Sequence, residues 1–197
     1  MSDYRVTTDI RLVSNADTKS DFRVNPSVPA GIEAVTRFQS IRRWHMIDTT
    51  RAQSVGEHSA NVGLLAYYIA KTVPLPCFGR PEDVLAGAML HDIAEVFMGD
   101  IPTHTKQCLG WVDVLEESLV PPVFKRCVME DVELLIKICD LADGIRFIEH
   151  FGVSQAAIRA MDGLWDLLDA KFEEARGRWP RDVFDSAFET VQTYLSE

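Results

Sequence analysis

Between Ala88 and Asp100 the chain reads Ala-Met-Leu-His-Asp-Ile-Ala-Glu-Val-Phe-Met-Gly-Asp. Its apolar residues recur at helical spacing with a His-Asp pair set among them. An ionisable pair on a core-facing stripe is costly unless something neutralises it, and a bound cation would do so. Val84, Ala88, His91 and Glu95 follow at steps of four, three and four, which predicts one helical face, with Asp92 beside His91 and one turn before Glu95. Gly99 supplies a helix stop and leaves Asp100 on the turn beyond it. A His-Asp pair alone is better explained as a core histidine held by a carboxylate, so the decision rests on ligands elsewhere in the chain.

Two other helical stripes supply them. Ser54-Val55-Gly56-Glu57 has the form of a capping box, which starts a helix at Val55 and puts His58 in its first turn, on a stripe with Val62, Leu65 and Ile69. That helix stops near Val73-Pro74, and Pro81 is suited to open the helix of His91. A long helix over about Met129 to His150 carries Val132, Ile136, Asp140, Asp143 and Phe147 at steps of four, four, three and four. Asp140 is a carboxylate on an apolar stripe with Lys137 one turn before it, and a buried Asp-Lys pair is the plain reading. Asp143 is read as a solvated or salt-bridged residue. His58, then His91 and Asp92, then Asp140 thus lie on three inward-facing helices. Two neutral imidazoles and two carboxylates suit one divalent Mn, Fe, Co, Ni or Zn ion, and the mixture of nitrogen and oxygen does not choose among them.

Every segment with clear periodicity is helical, so the expected fold class is all-α. Residues 1 to about 30 are rich in Thr, Ser, Asp and Asn and read as an irregular arm, in which Arg11-Leu12-Val13 can pair as a short strand; 31–197 read as one helical domain. The first helix is expected from Gly31 to Arg43 with Ile32, Val35, Phe38 and Ile41 inward. Its end, Arg42-Arg43-Trp44-His45-Met46, is either a solvated pair of arginines or an arginine that reaches an anion beside the flat wall of Trp44. Beyond Asp100, a turn and a short helix let Lys106 reach back toward Asp100. Further helices are expected over Trp111 to Leu119, Ala156 to Arg176 and Asp182 to Leu195.

Composition narrows the partners. With 30 acidic against 20 basic side chains and a net charge of -10, duplex nucleic acid and anionic membranes are poor partners, although local cations can hold a small anion. Cys77, Cys108, Cys127 and Cys139 show no CxxC pairing and read as reduced thiols; together with the absence of an 18-residue apolar run, this points to the cytoplasm.

The pattern His58, His91-Asp92, Asp140 resembles the HD-domain metal-dependent phosphohydrolases. Arg43-Trp44, Ser54 to His58, His91-Asp92-x-x-Glu95, Gly99-Asp100-Ile101-Pro102-Thr103, Lys106 and Lys137-x-x-Asp140 look like bacterial 5'-deoxynucleotidases and the related phage dATP triphosphohydrolases. The resemblance spans about Ile32 to His150. It implies that His58, His91, Asp92 and Asp140 ligate one divalent ion. It further implies that Glu95 and Asp100 place or activate water, and that Arg43, Lys106 and Lys137 contact phosphate. Trp44 would pack on the sugar or base, and Met46 would line the base pocket. The implied substrate is a deoxyribonucleotide, with dATP cleaved to deoxynucleoside and triphosphate favoured over dNMP cleaved to deoxynucleoside and phosphate; Mg can accompany the nucleotide. A homo-oligomer is implied by analogy, in the host cytoplasm if the gene is a phage's. His104 stands where some relatives carry proline. A silent nucleotide sensor and a di-iron oxygenase are the other readings. The second would need more histidines on ligand stripes, and the first would be expected to lack Glu95 or Asp100.

Overall fold

The structure is a computed structural model that describes residues 32–73, 77–124 and 128–197. The expected arm, with its strand at Arg11-Leu12-Val13, lies outside the described residues, as do Pro74 and Cys127. In chain order, α1 (Ile32–Arg37) runs into a 3-10 turn at Phe38–Ser40, and β1 (Arg42–Arg43) pairs antiparallel with β2 (Gln53–Ser54). Then come α2 (Val55–Thr72), α3 (Pro81–Met89), α4 (Glu95–Met98), α5 (Thr103–Cys108), α6 (Val112–Leu119), α7 (Glu130–Phe151), α8 (Gln155–Arg178) and α9 (Arg181–Ser196). The all-α expectation holds, with a two-stranded ribbon added.

Two expectations fail at the places that matter for the site. The first helix does not reach Arg43: it ends at Arg37, and the chain is extended at Ile41. Arg43 pairs with Gln53 instead, the Val55 N–H bonds the Ile41 carbonyl, and Val35 is exposed rather than inward. Ribbon partners satisfy those backbone groups, and weak local propensity yields to them. The helix carrying His91 is likewise not continuous. α3 stops at Met89, and Leu90 to Ala94 form tight turns in which Ile93 N bonds Leu90 O and Glu95 N bonds Asp92 O, before α4 begins. A turn of three residues rotates side chains differently from one of 3.6, so His91, Asp92 and Glu95 do not share one helical stripe.

The core follows from periodic apolar faces. Ile69 of α2, Leu135, Ile138 and Ile145 of α7 and Leu168 of α8 are all below 2% exposed, each worth roughly 1.5–3 kcal/mol of burial. α2 packs between α3 and α7, and α7 lies along α8. α2 and α3 approach closely at Gly63, where a Cβ would stand 2.9 Å from Met89 Sδ and that side chain would have to move. The Ser54 hydroxyl caps α2 by accepting from Glu57 N at 3.0 Å, while the Glu57 carboxylate turns to Arg51 rather than closing the capping box. Among the described residues, no helix is long and apolar enough to cross a membrane.

Candidate metal centre and its cavity

α2, the turn after α3, and α7 bring four donors together. The ligand-competent atoms of His58, His91 and Asp140 lie within 4.8 Å of one another. His58 Nε2 is 3.0 Å from Asp140 Oδ1, and Asp92 Oδ2 is 3.2 Å from His91 Nε2 and 3.6 Å from His58 Nε2. Donors about 2.1 Å from one ion stand about 3.0–3.4 Å apart when adjacent and about 4.2 Å when opposite, so these separations fit a shared cation.

Hydrogen bonding on the far side of each imidazole fits as well. His58 Nδ1 donates to Asp143 Oδ2 at 2.6 Å, and His91 Nδ1 donates to the Ala88 carbonyl at 2.7 Å. Each ring then turns its Nε2 lone pair toward the cluster, where both Nε2 atoms are buried without a hydrogen-bond partner. A lone pair facing a carboxylate at 3.0 Å is repulsive unless a cation or second proton stands between them. The residues present therefore fit a divalent metal ion.

The cluster's charges are strongly perturbed. Burial alone would raise the Asp92 pKa, but His91 and Arg43 outweigh it and hold the carboxyl well below its usual range. Asp140 is likewise pushed up by burial and pulled further down by Lys137 and His58. Burial would lower His91, and Asp92 and Asp140 turn that into a net rise. Arg43 straddles the two carboxylates, 2.9 Å from Asp92 and 3.7 Å from Asp140, and Lys137 bonds Asp140 Oδ2 at 2.6 Å.

A cavity of about 730 Å³ meets the cluster. Its polar lining includes Arg43, Asp92, Glu95, Asp100, Lys106, Lys137 and Asp140, and its apolar lining includes Trp44, Met46, Ile47, Leu141 and Leu164. A second cavity of about 490 Å³ reaches the cluster at His91, Asp92, Lys137 and Asp140. Trp44 has φ 62, an uncommon conformation for a bulky residue. It is held there by three contacts: its indole N–H donates to Gln53 Oε1 at 2.9 Å, its backbone N–H reaches Asp100 Oδ2 at 3.3 Å, and its ring stacks on Phe147 with centroids 6.3 Å apart. Gly99, at φ 80, gives the turn that swings Asp100 to that position.

Glu95 is 4% exposed and its Oε2 has no hydrogen-bond partner. Burial, followed by the charges of Asp92 and Asp100, pushes its carboxyl up to about 9. Lys106 does not reach Asp100 as expected. It stands 3.5 Å from Glu95 and 2.8 Å from Glu116 because α6 presents a nearer carboxylate. Those two acids keep Lys106 protonated although burial opposes it.

All eleven residues singled out in the sequence line this cluster or its cavity. Sequence reasoning missed the layer behind them. Asp143 is neither solvated nor an ordinary surface ion pair; it is 2% exposed and accepts hydrogen bonds from His58, Gln53, Asn61 and Tyr194. Its place on the Asp140 stripe was a usable signal, whereas Gln53 and Tyr194 carry none. The cavity wall from α8, including Ala160, Gly163, Leu164 and Leu167, was also outside the stretch that carried the resemblance.

Residues 32–110 match the family described as 5'-deoxynucleotidase YfbR-like. A dATP triphosphohydrolase of Salmonella phage PMBT28 is 28% identical over 152 residues, covering 73% of this chain and 78% of that protein. A 5'-deoxynucleotidase of Cronobacter sakazakii is 35% identical over 74 residues, 36% of this chain and 37% of that protein. In fold, the HD phosphohydrolase DatZ of Cyanophage S-2L, solved with dA and one catalytic Zn2+ ion, aligns with TM-score 0.74 and 20% identity over 85% of this chain and 98% of its own. The resemblance to HD-domain phosphohydrolases is thus found in both sequence and fold.

Proposed function

We propose that this chain is a metal-dependent phosphohydrolase that cleaves deoxynucleoside triphosphates, dATP preferred, into deoxynucleoside and inorganic triphosphate. The observation that carries the proposal is the convergence of two orphaned imidazole lone pairs on two carboxylates, Asp92 and Asp140, that line a cavity with a partly apolar wall. The length of the match to the phage dATP triphosphohydrolase favours the triphosphate substrate.

In this reading His58, His91, Asp92 and Asp140 hold the ion, which their nitrogen and oxygen donors suit to Co, Mn, Zn, Fe or Ni, with Mg accompanying the nucleotide. When bound, such an ion supplies Lewis-acid chemistry: it polarises the phosphoryl group and makes water more acidic. Water attacks the α-phosphorus, the bond from phosphorus to the nucleoside 5'-oxygen breaks, and that oxygen takes up a proton. Glu95 accepts the proton of the attacking water in its ionised form, which burial disfavours and the positive charge of a bound divalent ion would favour. Asp100 positions that water. Arg43, Lys106 and Lys137 offset the charge that builds on the phosphoryl oxygens. Trp44 packs against the deoxyribose where a 2'-hydroxyl would need room, and Met46 lines the base pocket. Self-association in the cytoplasm is part of the same reading and is tested by light scattering.

The family matched by residues 32–110 favours a second reading, 5'-deoxynucleotidase action on dNMP. Incubation with dATP and with dAMP separates the two. Inorganic triphosphate from dATP supports the first, and orthophosphate from dAMP alone supports the second. No release from either, across a panel of divalent ions, overturns both.

A further inference from the structure

The carboxylate of Asp143 lies behind the proposed ligands and accepts from four donors on three elements. On Oδ2 it takes His58 Nδ1 at 2.6 Å and Gln53 Nε2 at 2.8 Å; on Oδ1 it takes Asn61 Nδ2 and the Tyr194 hydroxyl, both at 2.8 Å. His58, Gln53 and Asp143 are at most 2% exposed, so water does not substitute for these bonds. Gln53 continues the chain of contacts, because its Oε1 accepts the Trp44 indole N–H at 2.9 Å.

We propose that Asp143 is the positioning residue of the metal centre, and that Gln53 extends its control to Trp44, so that one buried relay orients both a metal ligand and the substrate wall. The inference rests on the metal-centre reading above.

Polarity is the reason. All four partners are donors, and no proton need sit on Asp143. Its carboxylate therefore keeps the His58 proton on Nδ1 and leaves Nε2 free to ligate. A carboxylate behind a ligating histidine fixes its tautomer and ring orientation in this way, and its loss typically weakens metal binding about 10–100-fold. The Gln53 amide is equally constrained, since only one of its two orientations gives a donor to Asp143 and an acceptor to Trp44. Rotation of the Trp44 ring would break that bond, and Trp44 already sits at a backbone angle that needs outside support. Asparagine at 143 would place an amide NH2 against donors and leave one oxygen for four partners. His58 could then carry its proton on Nε2, where it blocks the ion.

The test uses cobalt(II) as the probe on full-length, chelator-stripped protein, followed by its visible absorption. Asp143→Asn is expected to bind cobalt about 10–100-fold more weakly, and nitrogen-15 NMR of the zinc-loaded parent should show the His58 proton on Nδ1. Tyr194→Phe, which removes one donor distant from His58, should leave that tautomer in place. Gln53→Met, similar in shape but without the amide, should weaken deoxyadenosine binding about 10-fold through Trp44. Unchanged cobalt affinity in Asp143→Asn, or a zinc-loaded parent whose His58 binds through Nδ1 and is protonated on Nε2, overturns the role of Asp143. If Asp143→Asn does not fold, the tautomer in the parent decides. Unchanged deoxyadenosine affinity in Gln53→Met overturns the extension to Trp44. A parent protein that binds cobalt yet hydrolyses no nucleotide would sink the proposed function and leave these readouts standing.

Discussion

Replacing Glu95 by glutamine should stabilise the metal-free protein while removing hydrolysis. Burial holds the Glu95 carboxyl at about 9 in the folded chain, against an ordinary value of 4.5. A raised folded-state value means that the folded protein keeps a proton the unfolded chain has already released. The stabilisation from that proton is complete below pH about 4.5 and is lost as pH rises toward about 9. Each pH unit inside the window is worth about 1.4 kcal/mol, so the parent should lose about 3 kcal/mol between pH 5 and pH 7 from this residue. Glutamine has nearly the same shape and does not titrate. Thermal unfolding of parent and Glu95→Gln, followed by circular dichroism in chelator, should therefore diverge as pH rises, with glutamine ahead by about 6–12 °C at pH 7 for a domain of this size. Equal slopes of stability against pH in the two proteins would refute the claim that Glu95 is held desolvated with Oε2 unpartnered. Loss of nucleotide hydrolysis in Glu95→Gln with cobalt binding retained would separate its role from those of the ligands.

His91→Ala removes one of the two orphaned Nε2 atoms, and cobalt affinity should fall by more than about 100-fold, beyond the loss typical of an outer-shell change; an affinity within a few fold of the parent by direct titration would remove His91 from the ligand set. Gly144→Ala puts a methyl 3.3 Å from Leu164 Cδ1 and 3.4 Å from Trp44 Cζ2. The methyl should displace the Leu164 side chain, which lines the cavity, and raise KM for the nucleotide severalfold, with stability changed by less than about 1.5 kcal/mol; unchanged KM would show that this wall does not meet substrate. Burial raises the Asp143 carboxyl, and hydrogen bonds from His58, Tyr194 and Asn61 outweigh it, so its folded value lies below 3.8. Its stabilisation is present above pH 3.8 and is lost as pH falls through that lower folded value. Acid unfolding of the parent should therefore steepen below about pH 4, and Asp143→Asn should flatten that limb.

The sequence by itself determined the helical class and which donor residues meet in the centre. His58 and Asp140 are ionisable residues set on apolar helical stripes, and the His91-Asp92 pair stands among apolar residues, conflicts that are visible in the sequence. Ser54 also announced the start of α2, because a cap is a local hydrogen bond. What periodicity reports is the face of one element. It does not report which carboxylate a lysine meets, as Lys106 shows by choosing Glu116 over Asp100. Nor did it reveal the tight turns at Leu90 to Ala94, the ribbon that carries Arg43, or the wall from α8. Those depend on backbone groups finding partners across the fold, as Ile41 does with Val55. Tertiary structure alone decided Asp143. Its four donors include residues as distant in sequence as Gln53 and Tyr194, and only packing assembles such a set, because a buried carboxylate must gather donors from whatever elements close around it.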